Sequence, residues 1–392
     1  MSSDSSAALR VAVAGMIGMA VAMGIGRFVF TPILPGMMES LGLTASEAGL
    51  IASANYLGYL IGAVFAAGGW AQGRERPLML AAILASAVLA GLMGLAGDIA
   101  AFLAIRFLGG VASAFAMIFL STIVFARLAA LNRDSLAALH FGGVGVGIAA
   151  SSLMIAVLLL QGADWRAGWF WAAALSFAGA SAVALLVRAV PAGLGEVRRA
   201  PRIPRSPALT RIIVAYGLFG FGYIVTATFL IAIVRQGEGG RLFEAGVWLA
   251  TGFAGIPSVW LWNRMGNRVG FPLTFALACA VEAVGVIASV VLGGYAGPLI
   301  GGVLLGGTFI SATALGLVAG RRLAGEAPRR VLALMTAAFG TGQIIGPIVA
   351  GYLADWTGDF LAASACAAAV LLLAAAIGAS AGMGTARSAG TG

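Results

Sequence analysis

The feature that most constrains this chain is a succession of twelve apolar runs, each about 20 residues long. A helix needs roughly 20 apolar residues to cross the hydrocarbon core of a bilayer. Strands of a membrane barrel would instead alternate apolar and polar residues, whereas these runs are apolar throughout. They predict an all-α integral membrane protein with twelve transmembrane helices. We place the spans at 9–31, 44–67, 77–97, 99–127, 137–161, 168–190, 209–234, 242–262, 270–293, 297–320, 332–354 and 360–382.

Composition supports this class. The chain is 61% hydrophobic and only 9% charged, which is too few charges for the surface of a soluble protein of this length. The two cysteines, Cys279 and Cys366, both lie inside apolar runs. We therefore expect neither a disulfide framework nor a metal site, and no cofactor.

The basic residues predict the orientation. All 23 are Arg, and with the N-terminus placed in the cytoplasm 18 of them fall on the cytoplasmic side of the runs. Arg166, Arg235 and Arg241 fall outside, and Arg27 and Arg106 lie within runs. This is the positive-inside bias, and it predicts an even number of spans with both termini cytoplasmic. We expect a multi-pass protein of the bacterial inner membrane. The net charge of +9 thus reflects topology, and no nucleic-acid partner is expected.

One polar segment divides the runs six and six. Residues 188–207 contain four Pro and five Arg, a composition typical of an extended linker. We predict an N-terminal six-helix bundle at 1–190, a cytoplasmic linker at 191–208 and a C-terminal six-helix bundle at 209–392.

The two halves also resemble each other. Leu-Gly-Gly at 108–110 recurs at 305–307, and Phe-Gly at 141–142 recurs at 339–340, with offsets of 197 and 198. Repeats of six helices are typical of alternating-access transporters, in which the substrate site lies between the halves near the bilayer midplane. The 58 Gly, many spaced four apart, favour close helix packing in lipid.

Two loops carry a recognisable motif. Residues 259–268 resemble the cytoplasmic loop motif of the major facilitator superfamily, with Asn263 in the place of the motif's acid and Arg264 matching its Arg. Arg74 occupies the corresponding place after the second span, where Gly73 stands for the acid. The resemblance implies gating or structural roles for Arg74, Asn263 and Arg264.

Other segments extend this resemblance. Arg106 with the glycines that follow it resembles the intramembrane Arg motif of the superfamily, and Gly346-Pro347 resembles its Gly-Pro helix motif. Residues 24–35 and 216–230 are similar to the YbfB/YjiJ branch. The resemblance covers the whole chain and implies a two-bundle transporter fold, with a structural role for Gly346 and Pro347.

Two arginines inside spans are candidate site residues. A charge within a span is retained only where something compensates its cost. Arg106 lies in the fourth span and Arg27 near the outer end of the first, with no acid inside the spans of that half nearby. We assign Arg106 to binding a carboxylate or other anion, and Arg27, which precedes Pro32, to a structural or gating role. The alternative for both is snorkelling to the interface or pairing with backbone carbonyls.

Two further ionisable residues are candidates for proton coupling. His140, the only His, lies in the fifth span, and imidazole titrates near neutral pH. Glu282 lies in the middle of the ninth span. The alternative is that each is a hydrogen-bonded packing residue.

Uncharged polar residues complete the predicted cavity. They lie at midplane depth, where aromatic and amide groups bind small organic solutes. The candidates for substrate binding are Asn55, Tyr59, Tyr216, Tyr223, Thr226 and Gln343.

These features predict a secondary active transporter for a small organic solute, coupled to protons. Because the chain contains no Lys, it lacks the phosphate-binding loop of an ATP-driven pump, and no enzymatic chemistry is expected from its single His. A drug or amphiphile efflux pump of the same fold and a non-transporting receptor or scaffold are the alternatives. The expected partners are a small-molecule substrate, a proton or other coupling ion and membrane lipid, and we expect a monomer.

Overall fold

The structure, a computed structural model, describes residues 3–187, 203–237 and 239–389. Every regular element in these residues is helical, which confirms the predicted all-α class. The predicted linker lies partly outside the described residues, because 188–202 are not among them. The α-helices are α1 (Ser3–Met19), α2 (Phe30–Leu41), α3 (Ala45–Ala66), α4 (Glu75–Leu95), α5 (Ile99–Ala130), α6 (Ala137–Leu160), α7 (Trp165–Leu186), α8 (Pro207–Arg235), α9 (Gly240–Val269), α10 (Phe271–Val291), α11 (Ala296–Arg322), α12 (Pro328–Thr357) and α13 (Leu361–Ala389).

Twelve segments of the described residues are long and apolar enough to cross a membrane. The first, Ser5–Leu41, comprises α1, a π-helix at Ala20–Ile25 and α2. Each of α3 to α13 provides one further span. The chain is therefore a multi-pass membrane protein.

The first span departs most from the prediction. It was expected to end at residue 31, but helical structure resumes at Phe30 and continues to Leu41. Pro32 lies in the first turn of α2, where no intrahelical N–H is needed, and Pro35 is accommodated within the helix. Arg27 therefore lies farther from the end of the helical segment than the sequence indicated, well inside a 37-residue candidate span.

The helix of the eighth span extends beyond the residues predicted for that span, since α9 continues past residue 262 to Val269. Asn263 and Arg264 therefore lie in its last turns, where we had expected a loop. The apolar run ends before the helix does, since a helix that leaves the membrane needs no apolar side chains.

Contacts among the helices divide the chain into two compact units. Unit 1 comprises Met1–Leu43, Ala54–Val197 and Gly239–Ile256. Unit 2 comprises Thr44–Ser53, Arg198–Glu238 and Pro257–Gly392. The start of α3 thus belongs with unit 2, and the start of α9 with unit 1.

Glycines on α6 allow close packing in unit 1. A β-carbon on Gly143 would overlap the carbonyl oxygen of Met16, and one on Gly147 would overlap that of Ala20. Gly145 is pressed in the same way against the backbone of α9 at Gly252. Helix α6 therefore uses glycines on two faces, one toward the first span and one toward α9.

Glycines also allow close helix packing at α3 and in unit 2. Gly58 of α3 faces the carbonyl of Phe107 in α5 with no room for a β-carbon. In unit 2, Gly342 of α12 faces the carbonyl of Gly217 in α8. Such contacts replace the hydrophobic driving force that lipid does not supply.

We expect Gly147→Ala to destabilise the protein, because the added methyl group must displace the backbone of the π-helix. Overpacking of this kind costs about 1–3 kcal/mol. Gly246→Ala is the matched control, since nothing lies within 4 Å of a β-carbon there. The melting temperatures of the purified variants in detergent give the measurement, and equal values for Gly147→Ala and wild type would contradict the packing argument.

Candidate functional site

The π-helix in the first span positions Arg27. Gly26 N–H donates to the carbonyl of Val21 at 2.8 Å and Phe28 N–H to that of Met23 at 3.2 Å, both across five residues. All six residues of the π-helix are buried. Such wide turns inside α-helices occur frequently at functional sites.

Two tyrosines of α3 enclose the Arg27 guanidinium. Its central carbon lies 4.6 Å from the ring centroids of both Tyr56 and Tyr59, within cation–π range. The residue is only 3% exposed. Its Nε and Nη2 are buried and have no hydrogen-bond partner.

Arg106 of α5 lies beside it. Its Nη2 donates to the carbonyl oxygen of Arg27 at 3.3 Å, and its guanidinium carbon lies 4.8 Å from the Phe30 ring centroid. Nε has no partner. Asn55 Nδ2 donates to the Arg106 carbonyl at 2.9 Å, while Asn55 Oδ1 is buried and unpaired.

We call Arg27, Asn55, Tyr56, Tyr59 and Arg106 the arginine cluster. All five belong to unit 1. Within the described part of the chain, neither arginine forms an ion pair. The structure therefore brings together three residues proposed for substrate binding with Arg27, for which a structural or gating role was expected. Tyr56 was missed, although its i, i+3 spacing from Tyr59 places both on one helix face.

His140 occupies a separate position in unit 1. Its Nε2 lies 3.0 Å from Ser121 Oγ, and its ring centroid is 5.2 Å from those of Phe125 and Phe141. The side chain is fully buried, and a β-carbon on Gly15 of α1 would lie 2.6 Å from Nδ1. The imidazole thus lies where α1, α5 and α6 meet.

An aromatic group lies in unit 2. Tyr216 and Tyr223 of α8 both stack on Phe339 of α12, with centroid distances of 4.8 and 5.6 Å. Phe309 of α11 stacks on Tyr223 at 5.9 Å. The tyrosines were predicted site residues, whereas Phe309 and Phe339 were not.

Polar atoms lie beside these rings. Gln343 Nε2 donates to the hydroxyl of Tyr223, and Gln343 Oε1 is buried without a partner. Thr226 Oγ1, one turn beyond Tyr223 on α8, is also buried without a partner. Three predicted substrate residues therefore lie along the α8–α12 contact.

Glu282 lies between α10 and α11. Its Oε2 accepts a hydrogen bond from Thr308 Oγ1 at 3.0 Å, and its Oε1 is buried and unpaired. Thr308 was not a predicted site residue. The carboxyl group is fully buried.

Comparison with known proteins assigns the family. Residues 19–379 match the family described as "Uncharacterised MFS-type transporter YbfB". The chain belongs to this family of major facilitator (MFS) transporters. The resemblance seen in the sequence is thereby confirmed. No curated protein matches the chain.

Solved MFS structures share its fold. The nucleoside transporter NupG is 12% identical with a TM-score of 0.70, over 96% of this chain and 98% of that one. A bacterial homologue of the human lysosomal transporter Spinster, inward-facing and occupied, is 14% identical with a TM-score of 0.68, over 96% of each chain. At these identities the likeness establishes the MFS fold alone.

The MFS motif residues differ in their surroundings. Arg74 is exposed, and Arg264 is exposed with its guanidinium carbon 5.9 Å from the Trp260 ring centroid. Neither side chain has a hydrogen bond to the described residues. Arg76 instead links α4 to the end of α7 by donating to the carbonyls of Val187 and Ala184 at 2.7 and 2.9 Å.

Gly346 and Pro347 lie within α12 at close contacts. A β-carbon on Gly346 would lie 2.7 Å from the carbonyl oxygen of Phe221 in α8. Pro347 lacks an N–H, so the helix loses one hydrogen bond at this turn, and Gly49 of α3 packs on its carbonyl group. The pair therefore lies where α12 touches both α8 and the start of α3.

We expect Tyr223→Phe to destabilise the protein by about 1–3 kcal/mol, because the buried amide of Gln343 loses its partner. Adding Gln343→Met should recover most of this loss, since both polar groups are then removed together. Chemical or thermal unfolding of the two variants measures the difference. A double variant no more stable than Tyr223→Phe would show that this hydrogen bond does not decide stability here.

Proposed function

We propose that this MFS protein is a secondary active transporter of the bacterial inner membrane that moves a small organic solute by alternating access, coupled to protons. The observation that carries the proposal is the set of buried, unpaired polar atoms inside membrane spans. They include Nε and Nη2 of Arg27, Nε of Arg106, Gln343 Oε1 and Thr226 Oγ1. Polar groups without partners are costly in a membrane and mark substrate pathways.

Helix packing within the units supports alternating access. In unit 2, the Asp355 carboxylate at the end of α12 accepts hydrogen bonds from the backbone N–H groups of Ala45 and Ser46, both at 2.9 Å. In unit 1, the start of α9 packs on α6 at Gly145 and Gly252. Both contacts join helices from different halves of the sequence. They consist of exposed polar groups and glycine backbone, so they can separate without leaving a buried charge, and we infer that they open and close during the cycle.

His140 and Glu282 support proton coupling. Each is fully buried within a span and touches one hydroxyl group, of Ser121 and Thr308 respectively. Neither side chain is needed to neutralise a charge in the described structure. A group so placed can take up or release a proton when its helices move.

One observation favours efflux of apolar compounds as the second candidate function. The aromatic group of unit 2 (Tyr216, Tyr223, Phe309 and Phe339) gathers four buried, mutually stacked rings, and aromatic side chains commonly line sites for apolar ligands. A thermal-shift screen of purified protein against metabolites and drugs separates the two candidates. Stabilisation confined to amphiphilic drugs would favour efflux.

Because most Arg residues fall on one side of the spans, we expect both termini in the cytoplasm. In a background with Cys279→Ser and Cys366→Ser, an impermeant maleimide added to whole cells should label Gln161→Cys, between α6 and α7. It should not label Arg74→Cys, between α3 and α4, until the membrane is permeabilised. Both positions are exposed. Labelling of position 74 in intact cells would invert the proposed topology.

Coupling is tested with the solute that the screen identifies. In proteoliposomes, an imposed pH gradient should drive its accumulation, and a protonophore should abolish it. Glu282→Gln and His140→Gln should reduce gradient-driven accumulation at least tenfold while retaining exchange, because neither amide titrates. Glu39→Gln, an exposed acid paired with Arg241 at 3.1 Å, is the control. Wild-type flux that only equilibrates the solute would mean a uniporter.

A further inference from the structure

We propose that the arginine cluster recognises the anionic group of the transported solute, and that this solute is an organic carboxylate. The inference rests on the proposed transport function and names its substrate class. Four features of the cluster carry it: an open guanidinium edge, a second guanidinium without an acid, aromatic walls and an unpaired amide oxygen.

The open edge is on Arg27. Nε and Nη2 lie along the same edge of the planar guanidinium, and both are buried without a hydrogen-bond partner. Two parallel N–H donors on one edge match the two oxygens of a carboxylate. Arginine keeps its charge in proteins, so this edge presents a fixed positive fork inside the membrane span.

The guanidinium of Arg106 lies against the backbone of Arg27. Arg106 Nη2 donates to the Arg27 carbonyl at 3.3 Å, and its Nε is unpaired. Two positive groups therefore belong to one buried cluster, with no acidic side chain paired to either in the described structure. Like charges repel each other more strongly where the dielectric constant is low. An anion bound at the cluster would offset this repulsion and satisfy the unpaired donors.

Aromatic rings hold the two guanidinium groups in place without neutralising their charge. The rings of Tyr56 and Tyr59 face Arg27 at 4.6 Å, and Phe30 faces Arg106 at 4.8 Å. Cation–π contacts stabilise a guanidinium through its flat face and leave the N–H edge free. The arrangement thus orients two cations toward a ligand, whereas a structural ion pair would have used the edge itself.

Asn55 adds a neutral polar contact. Its Nδ2 is held by the Arg106 carbonyl, so its Oδ1 is an acceptor with no partner. Acceptors repel a carboxylate but accept from a hydroxyl or N–H group. The cluster therefore favours a carboxylate that carries such a donor, such as a hydroxy acid, over an anion without one, such as acetate or chloride.

The test compares matched charged and neutral probes. Melting temperatures of purified full-length protein would be measured in detergent with lactate, its neutral amide lactamide, acetate and chloride, at constant ionic strength. We expect a saturable increase with lactate, a weaker one with acetate, and none with lactamide or chloride.

Variants then locate the site. Arg27→Lys and Arg106→Lys keep the charge but lose the fork, and we expect each to weaken lactate binding about thirtyfold or more, as for loss of a bidentate charged contact. Arg166→Lys is the control, because Arg166 is already satisfied by the carbonyls of Gly94 and Ala96 and stacks on Trp165. Circular dichroism checks that each variant retains its helix content.

Several results would overturn the proposal. They are equal stabilisation by lactate and lactamide, equal stabilisation by chloride, and unchanged lactate affinity in both folded Lys variants. The comparison of lactate with lactamide and chloride on the wild-type protein tests the proposal even if a variant does not fold. Flux of lactate in proteoliposomes separates the two proposals: binding without flux would leave the site standing and contradict transport. Transport of a neutral solute, with no anion bound by the protein, would support the transport function and contradict the proposed anion site.

Discussion

Close backbone contact at glycines is the interaction on which both units depend. Helices in lipid gain little by covering apolar side chains, because the surrounding chains are equally apolar. Association must come from dispersion forces between closely packed surfaces, which need small residues at the contact. Helix α6 shows the consequence most clearly, since Gly143 and Gly147 face the first span while Gly145 faces α9. A bulkier residue on either face would separate two neighbours.

The same contacts assemble the arginine cluster. Gly58 of α3 and Gly110 of α5 bring the two backbones together, with a β-carbon on Gly110 overlapping the carbonyl of Asn55. At that separation the Asn55 amide reaches the carbonyl of Arg106 in α5. The polar chemistry therefore follows from the packing. Without the small residues the backbone carbonyl of Arg106 would lie too far from Asn55 of α3 for this contact to form.

Hydropathy predicts the fold well because the cost of placing a residue in lipid depends on that residue alone. The twelve spans and the family were predicted from it and from short motifs. The site was predicted in part: Arg106, Asn55 and Tyr59 do lie together. The contact of Arg27 with Tyr56 was not predicted, because it depends on a π-helix, and no residue pattern at 20–25 indicates one. In addition, the prolines at 32 and 35 indicated a helix end that does not occur.

The π-helix determines how the side chains after it in the first span are rotated about the helix axis relative to those before it. A wide turn holds one residue more than an α-helical turn, and each residue of an α-helix corresponds to about 100° of rotation. Deleting one residue from Ala20–Ile25 would restore regular phase upstream of Arg27 and turn its side chain away from the two tyrosines. The extra residue therefore sets the direction in which the charge points, and the glycine face of α6 holds that wide turn in place.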